Sequence, residues 1–314
     1  MKFYRVNGTI GQATSAAQNA LDLTRRKYLA ELAKQTDRNV IAYYSGWLSK
    51  PDVAQTEITD EDTNGFMMCV HTIGNRRRKG LDLILHTPGG SIAATESLVN
   101  YLHQMFGTNI RTIVPQLAMS AGTMIACSCK EVIIARHGNL GPIDPHVRGF
   151  PAYGVKEEFK RACKEVSSDS SKIPIWAQII SKYGPTFLSQ CENAIDWSKE
   201  FVEGQLEGVM FDGDPRAREK ARKIVRKLTD YKGNKTHARH IHYEELKEMG
   251  LNVSRLEDVQ WFQDLVLTVH HCYMHSLMNS TAFKIIENHA GSAFVKHQFM
   301  GQVAIPVQQQ NRAT

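Results

Sequence analysis

Two hydrophobic periods alternate along the chain, and they mark out its elements. Residues 16–35 place Ala20, Leu23, Leu29 and Leu32 among Arg25, Arg26, Lys27 and Lys34, the spacing of an amphipathic helix. Val40–Tyr44 is a short apolar, β-branched and aromatic run that predicts a strand. Residues 45–60 are turn-rich. Thr59-Asp60-Glu61-Asp62 then opens a helix carrying Phe66, Met67 and Val70, its acidic residues lying where the positive helix end favours them. Leu81–Leu85 predicts a strand and His86–Gly90 a turn. Residues 92–106 predict a helix with Leu98, Val99, Leu102, Met105 and Phe106 on one face. Arg111–Val114 and Glu131–Ala135 read as further strands, and between them Met119–Thr123 leads into a helix of small residues. Strand, turn and helix repeated in this way imply parallel strands joined by right-handed crossovers. Uninterrupted apolar strands suit a sheet covered on both faces, so the expected fold class is α/β.

Beyond residue 150 the pattern turns helical. Val155, Phe159, Ala162 and Val166 have helical spacing, as do Ala217, Ala221, Ile224, Val225 and Leu228. Tyr243, Leu246 and Met249 mark a short helix ended by Gly250, and a long helix is expected over 256–278. The polar, Gln-rich residues from Gln302 onward read as a frayed end. No unit of 20–50 residues repeats, which excludes a solenoid or a propeller. The expected organisation is an N-terminal helical segment (1–36), one domain over 37–290 with a helical extension from about 150, and a C-terminal tail (291–314).

Composition narrows the class. At 314 residues, 42% hydrophobic and 22% charged, the chain is neither collagenous nor a long disordered array. No run approaches the ~20 apolar residues that span a bilayer. The first 25 residues lack the apolar stretch and small-residue cleavage site of a signal peptide. The six cysteines form no CxxC pair, so reduced thiols and a cytoplasmic location are expected, with Cys127 and Cys129 in the core. The net charge of +6 is largely local, in Arg216–Lys227 and Arg76–Lys79. The first stretch carries a clean apolar stripe and reads as a solvated helix face. Neither has the interleaved aromatics that stack bases, so nucleic acid is not an expected partner.

Two features of residues 79–147 point to chemistry. Gly89-Gly90 follows a buried-looking strand directly, where glycine lets the backbone N–H approach a ligand closely. Ser120 sits among small residues at a strand-to-helix junction, beside unpaired helix-terminal N–H groups. A glycine N–H from the first turn and the Ala121 N–H from the second would form a two-donor oxyanion hole, as acyl transfer requires. Each feature alone also has a plain reading, a turn and a helix cap.

The segments LILHTPGGSIAATESL, VPQLAMSAGTMIACSC and EVIIARHGNLGPIDP resemble the Clp-protease/crotonase superfamily. Within it, the chain is most similar to the serine dehydrogenase proteinase family, related to signal peptide peptidase A. KTHARHIHYEELKEMGL adds a weaker match, and the resemblance runs over roughly residues 35–290. It implies a spiral of β-β-α units around a parallel sheet with an α-helical C-terminal extension, and serine endopeptidase activity without a cofactor or metal. It assigns Ser120 as nucleophile, Asp144 and His237 as the other triad members in the chain order Ser, Asp, His, and Gly89, Gly90 and Ala121 to the oxyanion hole. It also implies a peptide or protein substrate, a homo-oligomer of closed symmetry, and room for a partner that activates it or delivers substrate.

Alternatives stay open at this point. His146, two residues after Asp144, is a second candidate base, and a Ser–Lys dyad would draw on Lys156, Lys160 or Lys172. A gated or non-catalytic scaffold and crotonase-like thioester chemistry would use the same fold. His271 and His275 are four apart on a predicted helix, but no intervening Glu completes a metal motif. His270, Cys272 and the alternating His237, His240 and His242 also lack a known ligand spacing, so no metal is expected.

Overall fold

The computed structural model describes residues 15–298. Helix α1 (Ser15–Thr36) leads into strand β1 (Asn39–Ser45), and α2 (Asp62–Ile73) returns to β2 (Leu81–His86). Helix α3 (Ile92–Phe106) follows, started by Ser91, whose side chain accepts from Ala94 N–H, and closed by Gly107 at φ 64°. Strands β3 (Ile110–Val114) and β4 (Leu117–Ala118) precede α4 (Ala121–Cys127), and β5 (Glu131–Ile134) and β6 (Asn139–Leu140) complete the section richest in strands. A ribbon of β7 (His146–Val147) and β8 (Phe150–Pro151) opens the helical arm: α5 (Ala152–Ser168), α6 (Ile173–Ile180), α7 (Phe187–Gln205), α8 (Ala217–Leu228), α9 (Tyr231–Asn234) and α10 (Tyr243–Met249). Strand β9 (Val253–Arg255), α11 (Gln260–Asn279) and the hairpin β10 (Ala282–Asn288) and β11 (Ala293–His297) bring the chain back to the sheet.

The main sheet has the order β11-β10-β1-β2-β3-β5-β9. From β1 to β9 the pairings are parallel, with Tyr43 opposite Leu85, Ile84 opposite Ile113 and Ile134 opposite Arg255. The fold is thus the expected α/β arrangement around a largely parallel sheet. Strands β1 and β2 are buried at every position because helices cover both faces. Ile41, Tyr43, Leu83 and Leu85 face a core shared with α2, α3, α4, α8 and α10. Val40, Ala42, Tyr44 and Ile84 face a second core built by α1 and α11.

Two readings of helix faces need correction, and one hairpin went unread. The hairpin 282–297 did not stand out in the sequence. Strand β10 is buried throughout, yet it carries Lys284, Glu287 and Asn288, so its charges break the apolar run that would announce a central strand. Those charges are paired inside: Lys284 with Asp62 at 2.9 Å, and Glu287 with Arg25, with Arg26 at 2.9 Å and with the Tyr273 hydroxyl at 2.9 Å. On α1, Arg25 is therefore buried while Leu23 is 68% exposed, the reverse of their hydropathies. On α2, Met67 points outward. Elements on both sides of the expected divisions at 36 and 290 share one sheet and its cores. The frayed end expected from Gln302 lies outside the described residues.

Candidate active site

The site is assembled from the ends of neighbouring parallel strands. Past β2, Thr87 exchanges backbone hydrogen bonds with Leu117 and Met119, 3.0 Å each, which lays the 86–90 turn against β4. Gly89 N–H donates to Thr87 Oγ1 at 3.2 Å. Gly89 has φ 106°, and a Cβ there would stand 2.7 Å from Ser120 Cβ and 3.1 Å from Ala121 N, so only glycine lets the turn reach the serine. Gly90 is clasped from the other side. Ile58 N–H donates to Gly89 C=O at 2.7 Å, Ser91 N–H donates to Ile58 C=O at 3.0 Å, and a Cβ on Gly90 would lie 2.3 Å from Ile58 backbone. With its flanking groups engaged by Ile58, extended backbone geometry turns the Gly90 N–H to the opposite side.

Ser120 occupies the N-cap position of α4 at φ 50°, ψ −113°, and its side chain makes no capping bond. A non-glycine residue at such angles stores about 1–3 kcal/mol of strain and persists only where its surroundings dictate it. Here Gly122 N–H donates to Met119 C=O at 2.7 Å and Met124 N–H to Ser120 C=O at 3.1 Å. The Thr123 hydroxyl accepts Gly141 N–H at 2.9 Å and lies 2.9 Å from Gly141 C=O and 3.0 Å from Ala118 C=O. Thr123 thus ties the serine turn to the 141–145 loop, a role that the sequence left unread although the residue lies within the MSAGT segment.

That loop carries Asp144. Strand β6 pairs with β4, setting Ala118 opposite Leu140. Leu140 exchanges two hydrogen bonds with Ile241, at 3.1 and 2.9 Å, which draws in the segment bearing His237. His237 Nδ1 is 2.8 Å from Asp144 Oδ1. Asp144 is 3% exposed, while His237 keeps an open edge. His146 stacks edge-to-face on His237, ring centroids 4.4 Å apart. Desolvation, then the neighbouring His237, hold the His146 imidazole below its ordinary pKa. Each of Asp144, His146 and His237 offers a ligand atom within 4.8 Å of the other two, and no other group of His, Cys, Asp and Glu does so among the described residues. Among these residues no hydrogen bond joins the Ser120 hydroxyl to either histidine.

The remaining candidates lie elsewhere. Lys156, Lys160 and Lys172 pair with Glu192, Glu157 and Glu165 on the arm, at 2.9, 3.3 and 3.5 Å. His240, His242, His271 and His275 are exposed. Cys127 and Cys129 are buried, which pushes both thiols up to about 12. Arg216, Arg218, Arg222 and Arg226 line a cleft of about 840 Å³ over α8 that contains none of the site residues.

Behind the glycine turn lies a buried ion pair. Asp62 meets Lys284 at 2.9 Å and accepts the Tyr43 hydroxyl at 2.9 Å and Thr59 N–H at 3.0 Å. Lys284 also donates to Glu57 C=O at 2.7 Å, so the pair anchors the strand segment that holds Gly89 and Gly90. Sequence alone presented Asp62 as a helix-end acid and gave no sign of Lys284. His86, the last residue of β2, is caged by Tyr44, Trp47 and His270, and neither of its ring nitrogens has a partner.

A family model described as ClpP-like SDH-type serine proteinase matches residues 12–260, which spans the serine turn, the Asp144 loop and the His237 segment. The chain belongs to this family. Two relatives come from Methanocaldococcus jannaschii. Uncharacterized protein MJ0137 is 30% identical over 238 residues, 74% of each chain. Uncharacterized protein MJ1495 is 32% identical over 174 residues, 55% of this chain and 52% of its own. Among solved structures, a serine-to-alanine mutant of the 1510-N membrane-bound stomatin-specific protease aligns at 16% identity with a TM-score of 0.40. It covers 67% of this chain and 79% of its own. No helix among the described residues of this family member is long and apolar enough to cross a membrane.

Proposed function

We propose that the chain is a serine endopeptidase acting on peptide or protein substrates through an acyl-enzyme on Ser120. The observation that carries this reading is Ser120 itself: a strained residue at a helix start whose hydroxyl caps nothing, packed against a glycine turn. In this reading Ser120 Oγ attacks the scissile carbonyl and His237 takes its proton. Asp144, already engaged with Nδ1, leaves Nε2 as the accepting atom and stabilises the imidazolium that forms. The oxyanion falls between the Gly90 and Ala121 N–H groups, with Gly89 giving the turn its close approach. Protonation of the leaving amine and attack by water complete the cycle. No cofactor takes part.

The missing Ser120–His237 hydrogen bond supports a resting form that closes when substrate, a second subunit or an activating partner arrives, since catalytic hydrogen bonds tighten in the Michaelis complex. His146, against the His237 ring, is the alternative base. The proposal includes a cytoplasmic homo-oligomer in which the helical arm packs on a neighbouring subunit.

A fluorophosphonate probe tests the reading. It is expected to label the wild type and not Ser120→Ala, and turnover of a peptide substrate should fall by about 10⁴-fold or more in that variant. Biological activity undiminished in Ser120→Ala would select the scaffold reading instead.

A further inference from the structure

We infer that Asp144, His146 and His237 form a binding site for a divalent transition metal of the zinc class, and that occupancy switches the catalytic histidine off. The binding half stands on geometry alone; the switching half rests on the serine peptidase reading. With His237 as the base, peptidase chemistry uses Asp144 and His237 and leaves His146 without work, although its ring lies edge-on against His237, 4.4 Å away. The ligand atoms of the three residues already lie within 4.8 Å of one another. Tetrahedral zinc at about 2.0–2.2 Å from each ligand needs them roughly 3.4 Å apart. The remaining approach falls to the side chain with most freedom, since His146 is exposed while Asp144 is fixed in the interior. Two imidazoles and one carboxylate are the donor set that borderline divalent ions favour, and the open edges of both rings leave an entry path and a position for water.

The consequence for catalysis follows from counting protons. A neutral imidazole carries one N–H and one lone pair. If the ion takes Nε2, the lone pair that would accept the Ser120 proton is used. If it takes Nδ1, the single proton resides on Nε2, which then donates and cannot accept. Either mode of binding removes the base without disturbing the serine turn.

Metal binding can be read without activity. Zn²⁺ is titrated calorimetrically into full-length Ser120→Ala, and Co²⁺ is followed by the visible absorption of its four-coordinate form. One ion per chain is expected, with affinity reduced at least about 10-fold by His146→Ala and by His146→Gln. His146 is exposed, so neither variant should be destabilised. His271→Ala with His275→Ala tests the other histidine pair; loss of binding in this double variant overturns the proposal, as does absence of a Co²⁺ spectrum. In the wild type, Zn²⁺ should suppress fluorophosphonate labelling and EDTA should restore it; labelling unaffected by bound Zn²⁺ overturns the switch. Probe labelling without metal binding leaves the peptidase reading intact and removes this site. Metal binding without labelling under any condition does the opposite.

Discussion

Ser120 adopts φ 50°, an angle that any other position on α4 would avoid, and the cost is borne by Thr123, Gly122 and Gly89 packed around it. The serine and the glycine pair were legible because their residue types are nearly forced by such close approach. The candidate base was not legible to the same degree. As residue types His146 and His237 are equal; the family resemblance favours His237, and in the structure the 2.8 Å contact with Asp144 distinguishes it. His237→Ala is therefore expected to lower kcat/KM by three orders of magnitude or more, and His146→Ala by at least tenfold less than that, measured on one peptide substrate. Equal losses in the two variants would remove His237 from the role assigned to it. His270 shows how a residue can matter for stability and not for chemistry. Burial, with help from His271 and His137, pushes its pKa down to about 4, and its Nδ1 meets the Tyr44 hydroxyl at 3.2 Å while His86 lies against its ring. The unfolded chain takes up this proton near pH 6.5 and the folded chain only near 4. The unfolded state thus binds more protons in that window. Stability is full above the window and falls by roughly 3 kcal/mol as pH drops through it. Urea midpoints between pH 7.5 and 4.5 should fall more steeply in the wild type than in His270→Gln, and parallel slopes would refute the assignment.

Strand β10 carries the largest difference between pattern and structure at the level of elements. A strand buried along its whole length was expected to be apolar, but Lys284 and Glu287 face inward to Asp62 and Arg25. Burial lowers the Lys284 ammonium pKa, and the Asp62 carboxylate opposes that shift. Removing one member of such a pair strands the other in the interior, at a cost of about 3–5 kcal/mol. Lys284→Met is expected to lose that much in urea unfolding, and Lys284→Met with Asp62→Leu to recover part of it. Loss that is additive in the double variant would show that the two do not act as a pair. Because Lys284 also holds Glu57, and Ile58 clasps Gly89 and Gly90, the variant should slow probe labelling of Ser120 as well. By contrast α3, with a serine cap, a clean apolar face and a closing glycine, was readable to the residue.

For the molecule as a whole, the helical arm carries part of the exposed apolar surface. Helix α6 is apolar on nearly every side, yet Ile173 and Ile175 are 50% and 62% exposed. Covering the exposed half of each would contribute about 1–1.5 kcal/mol, a gain that adds to any association through the arm. Sedimentation equilibrium at micromolar concentration is expected to give a mass above that of one 314-residue chain. Ile173→Asp with Ile175→Asp should shift it toward the monomer, and a monomeric wild type would sink the homo-oligomer proposal.

By itself the sequence determined what local chemistry determines: the helices and strands with clean periods, the two glycines, and the serine at a strand-to-helix turn. These follow from backbone sterics and short-range hydrophobic spacing, which act within a few residues. Tertiary structure decided what depends on residues far apart. It put Lys284 against Asp62, Arg25 against Glu287 and His237 against Asp144, 93 positions away. A charge reads as solvated until its partner arrives from another strand, and a histidine's ring is oriented by a carboxylate only once the fold brings the two together.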